Sequence, residues 1–472
     1  VPSTRVTLNP VTRISGFMAI HVTIEHHQVT AAQTEGMLFR GFEQMLIGRQ
    51  PWDAVYFTQR ICGICSAAHS TASTLALENA MNLTPSEQGR YLRDIIHGCE
   101  FLQNHIRHFY QYTVPDYVRM PQEVPLFQSS YGDFRLPTAV NDQLIRHYFA
   151  SLPVSRAAHE MIAILGGKAP HNHGIFVGGI TTEATVDKIM KIRSLLAGIR
   201  LFIETVMIAD AETIARYYPE YFHLGRGYGR LLSFGCFDNY PVTGTLYVDP
   251  SLYRADRIES FDPARITEEI EHSRYTGAPV AYQPLESMTT DAIDKPAAYS
   301  WIKAARYQGQ PFETGPLARQ WLSGAYRRGI SAMDRTIARV REALTIARII
   351  ENLLDRLEPA DTMQTAYSLP QQATGQGLID TTRGALGHWL KIADEKLSFY
   401  QVITPSVWNL SSQGNDGQPG TGEAALIGTP IQDPTQPVEL GRIIRSFDPC
   451  VSCATHVFMP GRKAPVTEVI VP

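Results

Sequence analysis

The sequence predicts an α+β fold that is mostly α: a central bundle of long helices, with small peripheral β-sheets and long loops. Three observations carry that expectation. Apolar residues recur at spacings of three and four over several stretches of roughly 25–40 residues. One short N-terminal stretch alternates strictly between apolar and polar residues. The 35 glycines and 30 prolines are spread along the chain rather than gathered into a linker. No repeat of period ~20–50 residues is present. Residues 1–472 are therefore read as one domain, with 457–472 set apart as a C-terminal extension.

In chain order, strand comes first. From Met18 to Glu25, Ile20, Val22 and Ile24 alternate with His21, Thr23 and Glu25, and His26-His27-Gln28 makes a turn into a partner strand. Ser86 to about Tyr112 reads as helix through Leu92, Ile95, Ile96, Cys99, Leu102, Ile106 and Phe109. Val186 to about Tyr218 repeats the pattern. Leu317 to Leu357 reads as one uninterrupted helix through Ile330, Met333, Ile337, Val340, Leu344, Ala347, Ile350 and Leu354, with Pro359 beyond its end. Gln413 to Gly422, the most polar and Gly-rich stretch, reads as one surface loop.

Composition narrows the function. With 42 Lys plus Arg against 46 Asp plus Glu, the net charge is −4, which gives no footprint for nucleic acid. Hydrophobic residues at 44% exclude a disordered chain. No run approaches the ~18–20 apolar residues of a membrane span. No basic stretch followed by an apolar one opens the chain, so no secretory signal of its own is expected. Six cysteines are too few for a disulfide scaffold in a chain of this length.

Four of those cysteines form two pairs, Cys62-Gly63-Ile64-Cys65 and Cys450-Val451-Ser452-Cys453. Cys99 and Cys236 are isolated and read as packing residues. Two such pairs supply four thiolates for a soft or borderline ion such as zinc, iron or nickel. A redox dithiol needs only one pair. A zinc ribbon closes a short loop of roughly 15–20 residues. Here the pairs lie near opposite ends of the chain, so a shared site would sit at the centre of the fold. His69 and His456 follow the second cysteine of each pair by four and three residues.

The flanking residues, Arg60-Ile61-Cys62-Gly63-Ile64-Cys65-Ser66-Ala67-Ala68-His69 and Asp448-Pro449-Cys450-Val451-Ser452-Cys453-Ala454-Thr455-His456, resemble the two cysteine motifs of nickel–iron hydrogenase large subunits. Arg40-Gly41-Phe42-Glu43, Pro170-His171-Asn172-His173, Arg383-Gly384-Ala385-Leu386-Gly387-His388 and Pro405-Ser406-Val407-Trp408-Asn409 are similar to further motifs of that family, in the same order.

The resemblance implies a set of roles. Cys62, Cys65, Cys450 and Cys453 would bind nickel, with Cys65 and Cys453 bridging to an iron that carries carbonyl and cyanide ligands. His69 would bond a bridging sulfur. Arg383 would lie over the metals and, with Ser406, contact the cyanides, held by Asp116 and Asp448. Glu43, His456 and the Val402 carbonyl would bind magnesium. The implied reaction is reversible heterolytic cleavage of H2, the proton passing to Cys450 with Arg383 as a positioned base. The implied partner is an iron–sulfur small subunit in an obligate heterodimer, contacted around the first cysteine pair. Maturation would need a protease and nickel-insertion factors. The setting would be periplasmic or membrane-associated through that small subunit, with a cytoplasmic one also open.

Ser15, in Arg13-Ile14-Ser15-Gly16-Phe17, stands where the family usually has a proton-accepting Glu. A hydroxyl relays a proton but does not hold one at neutral pH. Glu35 and nearby histidines are the substitutes this leaves. Thr382 replaces the family's usual Pro before Arg383. An uptake hydrogenase is the favoured reading. A hydrogen sensor of the same fold, an unprocessed precursor without nickel and a zinc-stabilised structural subunit are the alternatives.

Overall fold

The N-terminal alternation forms the middle of an antiparallel sheet, β1 (Thr4–Leu8), β2 (Met18–Glu25) and β3 (Gln28–Gly36). The β2–β3 hairpin turns at His26 and His27, whose φ values of 51° and 60° suit the right-handed twist of the flanking strands. Residues 468–469 pair parallel to β1. The computed structural model describes residues 3–121, 132–287, 289–358, 363–451 and 468–469.

The helices form the body. Besides short helices over Phe42–Leu46, Asp53–Thr58 and Val114–Tyr117, they are in order α1 (Ser66–Met81), α2 (Glu87–Arg107), α3 (Thr138–Gly166), α4 (Val186–Phe202), α5 (Ile208–Tyr217), α6 (Pro316–Leu322), α7 (Ala332–Asp355), α8 (Pro405–Asn409), α9 (Thr421–Leu426) and α10 (Val438–Ser446). Short turns of π-helix extend α2 over His108–Thr113 and join α4 to α5 over Ile203–Met207, so both helical readings hold over nearly their full length. Side-chain caps set the starts: Ser86, Thr185 and Ser331 accept from the backbone N–H of Gly89, Lys188 and Asp334. α2 lies at the centre, against α3 and α7, and is buried along most of its length.

Three expectations need correction. Leu317–Leu357 is two helices, not one. Gly324, in the left-handed region at φ 81°, ends the first, and Ser331 caps the second. The polar segment is not all loop: Gly420, Thr421 and Gly422 are buried, and Thr421 begins α9. The 29-residue α3 has no counterpart in the sequence reading; Pro153 lies inside it and masks its periodicity.

A second antiparallel sheet holds the functional residues in place. β4 (Gln372–Thr381), β5 (Gly384–Ala393) and β6 (Lys396–Ile403) form a meander. Two-residue turns join them, Thr382-Arg383 and Asp394-Glu395. α1 lies on β4 at very short range. A Cβ on Gly375 or Gly377 would come 2.1 Å from the carbonyl oxygen of Ala76 or Ala72, so only glycine permits this approach.

Candidate metal centre

Cys62 ends a short 3-10 turn, Gln59–Ile61, in extended conformation. Cys65 is the N-cap of α1, where the helix field favours a thiolate. The other end of the chain arrives by strand pairing. Ser15 N–H donates to the Pro449 carbonyl (3.1 Å) and Val451 N–H donates to the Ser15 carbonyl (2.8 Å), which seats Cys450 between them. The Cys450 N–H donates to Ser406 Oγ at the start of α8 (3.0 Å).

The sulfurs of Cys62, Cys65 and Cys450 lie within 4.8 Å of one another, at 2%, 7% and 2% exposure. Cys62 and Cys450 are 3.2 Å apart, well beyond the ~2.0 Å of a disulfide. Three buried thiols at this spacing suit a soft or borderline ion. Cys453 and His456, the remaining predicted ligands of this segment, fall outside the described residues.

Arg383 lies beside the thiols, at the buried tip of the β4–β5 hairpin. Its Nε donates to the Asp448 carbonyl (2.9 Å). Its Nη2 donates to Asn104 Oδ1 (2.8 Å) and lies 3.0 Å from Asp448 Oδ1. Asn104 Nδ2 donates to the second Asp448 oxygen (2.8 Å), closing the ring. Burial opposes the charge on Arg383, but Asp448 and then the cysteines hold it protonated above its ordinary range. That makes it a fixed cationic donor beside the thiols. Burial alone would raise Asp448, yet Arg383 foremost keeps it at about 2. Behind the hairpin, buried Arg319 donates to the Thr381 and Thr382 carbonyls (2.8 and 3.3 Å), so the tip cannot drift.

Asp116 does not hold Arg383. Its carboxylate binds Arg13 (2.7 Å) and Arg445 (2.5 and 2.8 Å). Burial would raise it, but these two cations lower it to about 2. It ties the end of α2's extension to α10 and the N-terminus, one step removed from the site. Asn104 takes the place expected for it, and sequence reading missed Asn104 because a polar residue on a helix looks like an exposed one. Glu35 is engaged by His21 (2.9 Å) and Arg274 (3.2 Å).

His69 lies one turn along α1 from Cys65 and lines the same pocket as Cys65, Cys450, Arg383 and Ser406. Its Nδ1 is 3.1 Å from His388 Nε2, and His388 Nδ1 is 2.7 Å from the Tyr400 hydroxyl. Burial lowers the His69 pKa to about 4 and drives that of His388 far down, so both rings are neutral. His388 closes the Arg383–His388 motif, and Tyr400 lies on the neighbouring strand β6, two residues from the position opposite His388; neither had an assigned role. Glu100 is a further buried acid, accepting from the N–H groups of Ala67 and Ala68 at the start of α1 (2.7 and 2.9 Å).

Glu43 and Val402 line a separate cavity of about 40 Å³ with Glu268, Lys303, Gln401 and Thr404. Gln401 Oε1 and Thr404 Oγ1 are buried there without hydrogen-bond partners, while Gln401 Nε2 donates to Glu268 (2.6 Å). Orphaned oxygens beside two carboxylates fit a hydrated hard cation. Cys99 and Cys236 are fully buried in the apolar core, as expected.

The profile of the nickel-dependent hydrogenase family matches residues 40–126, 120–329 and 322–456. The periplasmic [NiFeSe] hydrogenase large subunit of Desulfomicrobium baculatum is 33% identical, with 96% of this chain and 95% of that relative covered. The hydrogenase-2 large chain of Escherichia coli K12 is 30% identical, with 96% and 97% covered. The reduced Ni-Fe-Se hydrogenase structure from D. vulgaris Hildenborough superposes with a TM-score of 0.93 at 35% identity, covering 96% of this chain and 100% of that one.

Proposed function

The chain belongs to the nickel-dependent hydrogenase family, and on that premise we propose how its residues serve a catalytic large subunit that splits H2 into protons and electrons. H2 is nonpolar and a very weak acid, so side chains alone do not cleave it. When bound, a nickel–iron pair supplies the Lewis acidity and the electron acceptor that the protein lacks.

Cys62, Cys65, Cys450 and Cys453 would hold the nickel, and Cys65 and Cys453 would also serve the iron. Cys450 Sγ receives the proton. Arg383 would stay charged and, with Ser406, offer hydrogen-bond donors to anionic cyanide ligands of an iron that would also carry carbonyl. Asp448 and Asn104 keep Arg383 in place. Glu43, the Val402 carbonyl and His456 hold Mg2+ with water.

Cys99 and Cys236 are buried apart from the thiol cluster, so electrons leave through a partner, an iron–sulfur small subunit. Phe17, Met45 and Ile47, in the N-terminal part of the chain, are exposed and suit an apolar interface with it. No helix among the described residues is long and apolar enough to cross a membrane. A periplasmic or membrane-associated setting with the small subunit is the one this reading favours, in keeping with the periplasmic relative. Maturation by a protease and nickel-insertion factors completes the reading.

The observation that carries this is the three-thiol cluster beside an arginine pinned by Asp448. The test is nickel and iron quantitation on the purified heterodimer, with an infrared spectrum in the metal carbonyl and cyanide region. One nickel and one iron per large subunit with diatomic bands are expected. Zinc alone, with the fold intact, overturns the reading.

A further inference from the structure

His69 faces the thiol pocket, and its far side leads into a hydrogen-bonded line through His388 to Tyr400. Each neutral imidazole carries one N–H and one lone pair, so the two hydrogen bonds must run in a common direction. In one direction the Tyr400 hydroxyl donates to His388 Nδ1, His388 Nε2–H donates to His69 Nδ1, and His69 keeps its hydrogen on Nε2. In the other, His69 Nδ1–H donates to His388 Nε2, His388 Nδ1–H donates to the Tyr400 oxygen, and Tyr400 must place its hydrogen elsewhere.

The surroundings choose between them. Ser73 Oγ has no other partner and lies within hydrogen-bond reach of Tyr400; its O–H donates to the phenolic oxygen, which leaves the Tyr400 hydrogen free to point at His388. A buried O–H left without an acceptor costs free energy, and His388 Nδ1 at 2.7 Å is the acceptor on offer. The second arrangement would also aim a lone pair of His69 at anionic sulfur.

We propose that Tyr400 and His388 are positioning residues that lock His69 as its Nε2–H tautomer, presenting a permanent donor to the thiolate cluster. This deepens the function proposed above and rests on it only for its catalytic consequence. The same logic orients metal-binding histidines through the partner of their second nitrogen.

The tautomer can be read without turnover. Long-range nitrogen-15 to proton correlation on histidine-labelled heterodimer separates the Nδ1–H and Nε2–H forms, and the His69 signals are assigned by their loss in His69→Gln. The native enzyme should show Nε2–H at His69. His388→Leu should remove or mix that form and lower kcat per bound nickel by roughly tenfold or more with little change in KM. His388→Gln, whose amide can donate near the Nε2 position, should restore much of both. Tyr400→Phe should mix the tautomers while leaving the fold intact. A native Nδ1–H form, or a His388→Leu enzyme with unchanged tautomer and kcat, overturns the proposal. A native Nε2–H form in a protein without nickel would overturn the hydrogenase chemistry and leave the positioning claim standing.

Discussion

Asn104 offers the sharpest test of how the site is held. Asn104→Leu is close to isosteric, so it opens little cavity and removes mainly the two 2.8 Å hydrogen bonds to the charged Arg383 and Asp448, with a longer one from Arg107 (3.1 Å). Bonds of that kind contribute about 1.5–3 kcal/mol each. The direct Arg383–Asp448 contact at 3.0 Å survives, and Arg383 Nε still donates to the Asp448 carbonyl, so the lower end, about 3 kcal/mol in all, is expected. In a chain of this size that is a drop of roughly 3 °C in the unfolding midpoint. Arg383 also loses one of its anchors beside the metal-binding sulfurs. A loss of about 1.4 kcal/mol of transition-state stabilisation is ~10-fold in rate, so turnover per bound nickel should fall by at least that factor. The assay is hydrogen-dependent dye reduction by the purified heterodimer, normalised to nickel, with the midpoint measured on the same sample. Turnover within about twofold of native, with a midpoint moved by less than ~1 °C, would refute the claim that Asn104 pins the pair.

Three further outcomes follow from the geometry. Asp116 sits at about 2 in the folded chain against an ordinary value of 3.8, so its bridge to Arg13 and Arg445 stabilises above pH ~4 and is lost as pH falls through that interval. Acid unfolding of Asp116→Asn should lack roughly 2 kcal/mol of that pH dependence, and an unchanged acid limb contradicts it. Gly377→Ala drives a methyl against the Ala72 carbonyl on the helix that carries Cys65 and His69. It should cost about 1–3 kcal/mol and lower nickel occupancy, measured by metal analysis; full occupancy would sink that link. Ser15 is strand-paired to Cys450, so Ser15→Ala should slow turnover and Ser15→Glu should reshape its pH profile, whereas an unaltered profile in both places the proton exit elsewhere.

What could be read from sequence divides by the range of the interaction involved. The β2–β3 hairpin and the helix from Ser86 declare themselves because burial of one face repeats at a local period. The break between Leu322 and Ala332 was legible too, in Gly324, Gly329 and Ser331, but the apolar spacing ran through it and outweighed the caps. The cysteines were legible because sulfur chemistry needs a recognisable pair. Asn104 and Tyr400 were not, because each gains its role from a partner hundreds of residues away or on a neighbouring strand. Asp116 shows the opposite error. An acid near the right place in sequence was assigned to Arg383, while Arg13 and Arg445 compete for it at closer range.

Those long-range partners explain why the site needs the whole chain. Arg383 is fixed by Asp448 from the C-terminal segment, Asn104 from the central helix and Arg319 from behind, while Cys450 is registered by Ser15 from the N-terminus. Each contact alone is worth only a few kcal/mol, and a buried cation with one missing partner becomes a liability of similar size. The charges are therefore tolerable only when the N-terminal strands, the bundle and the β4–β6 sheet are all docked. That makes metal-site geometry a readout of global folding. It also predicts that variants far from the thiols, such as Asp116→Asn, lower nickel occupancy before they unfold the chain.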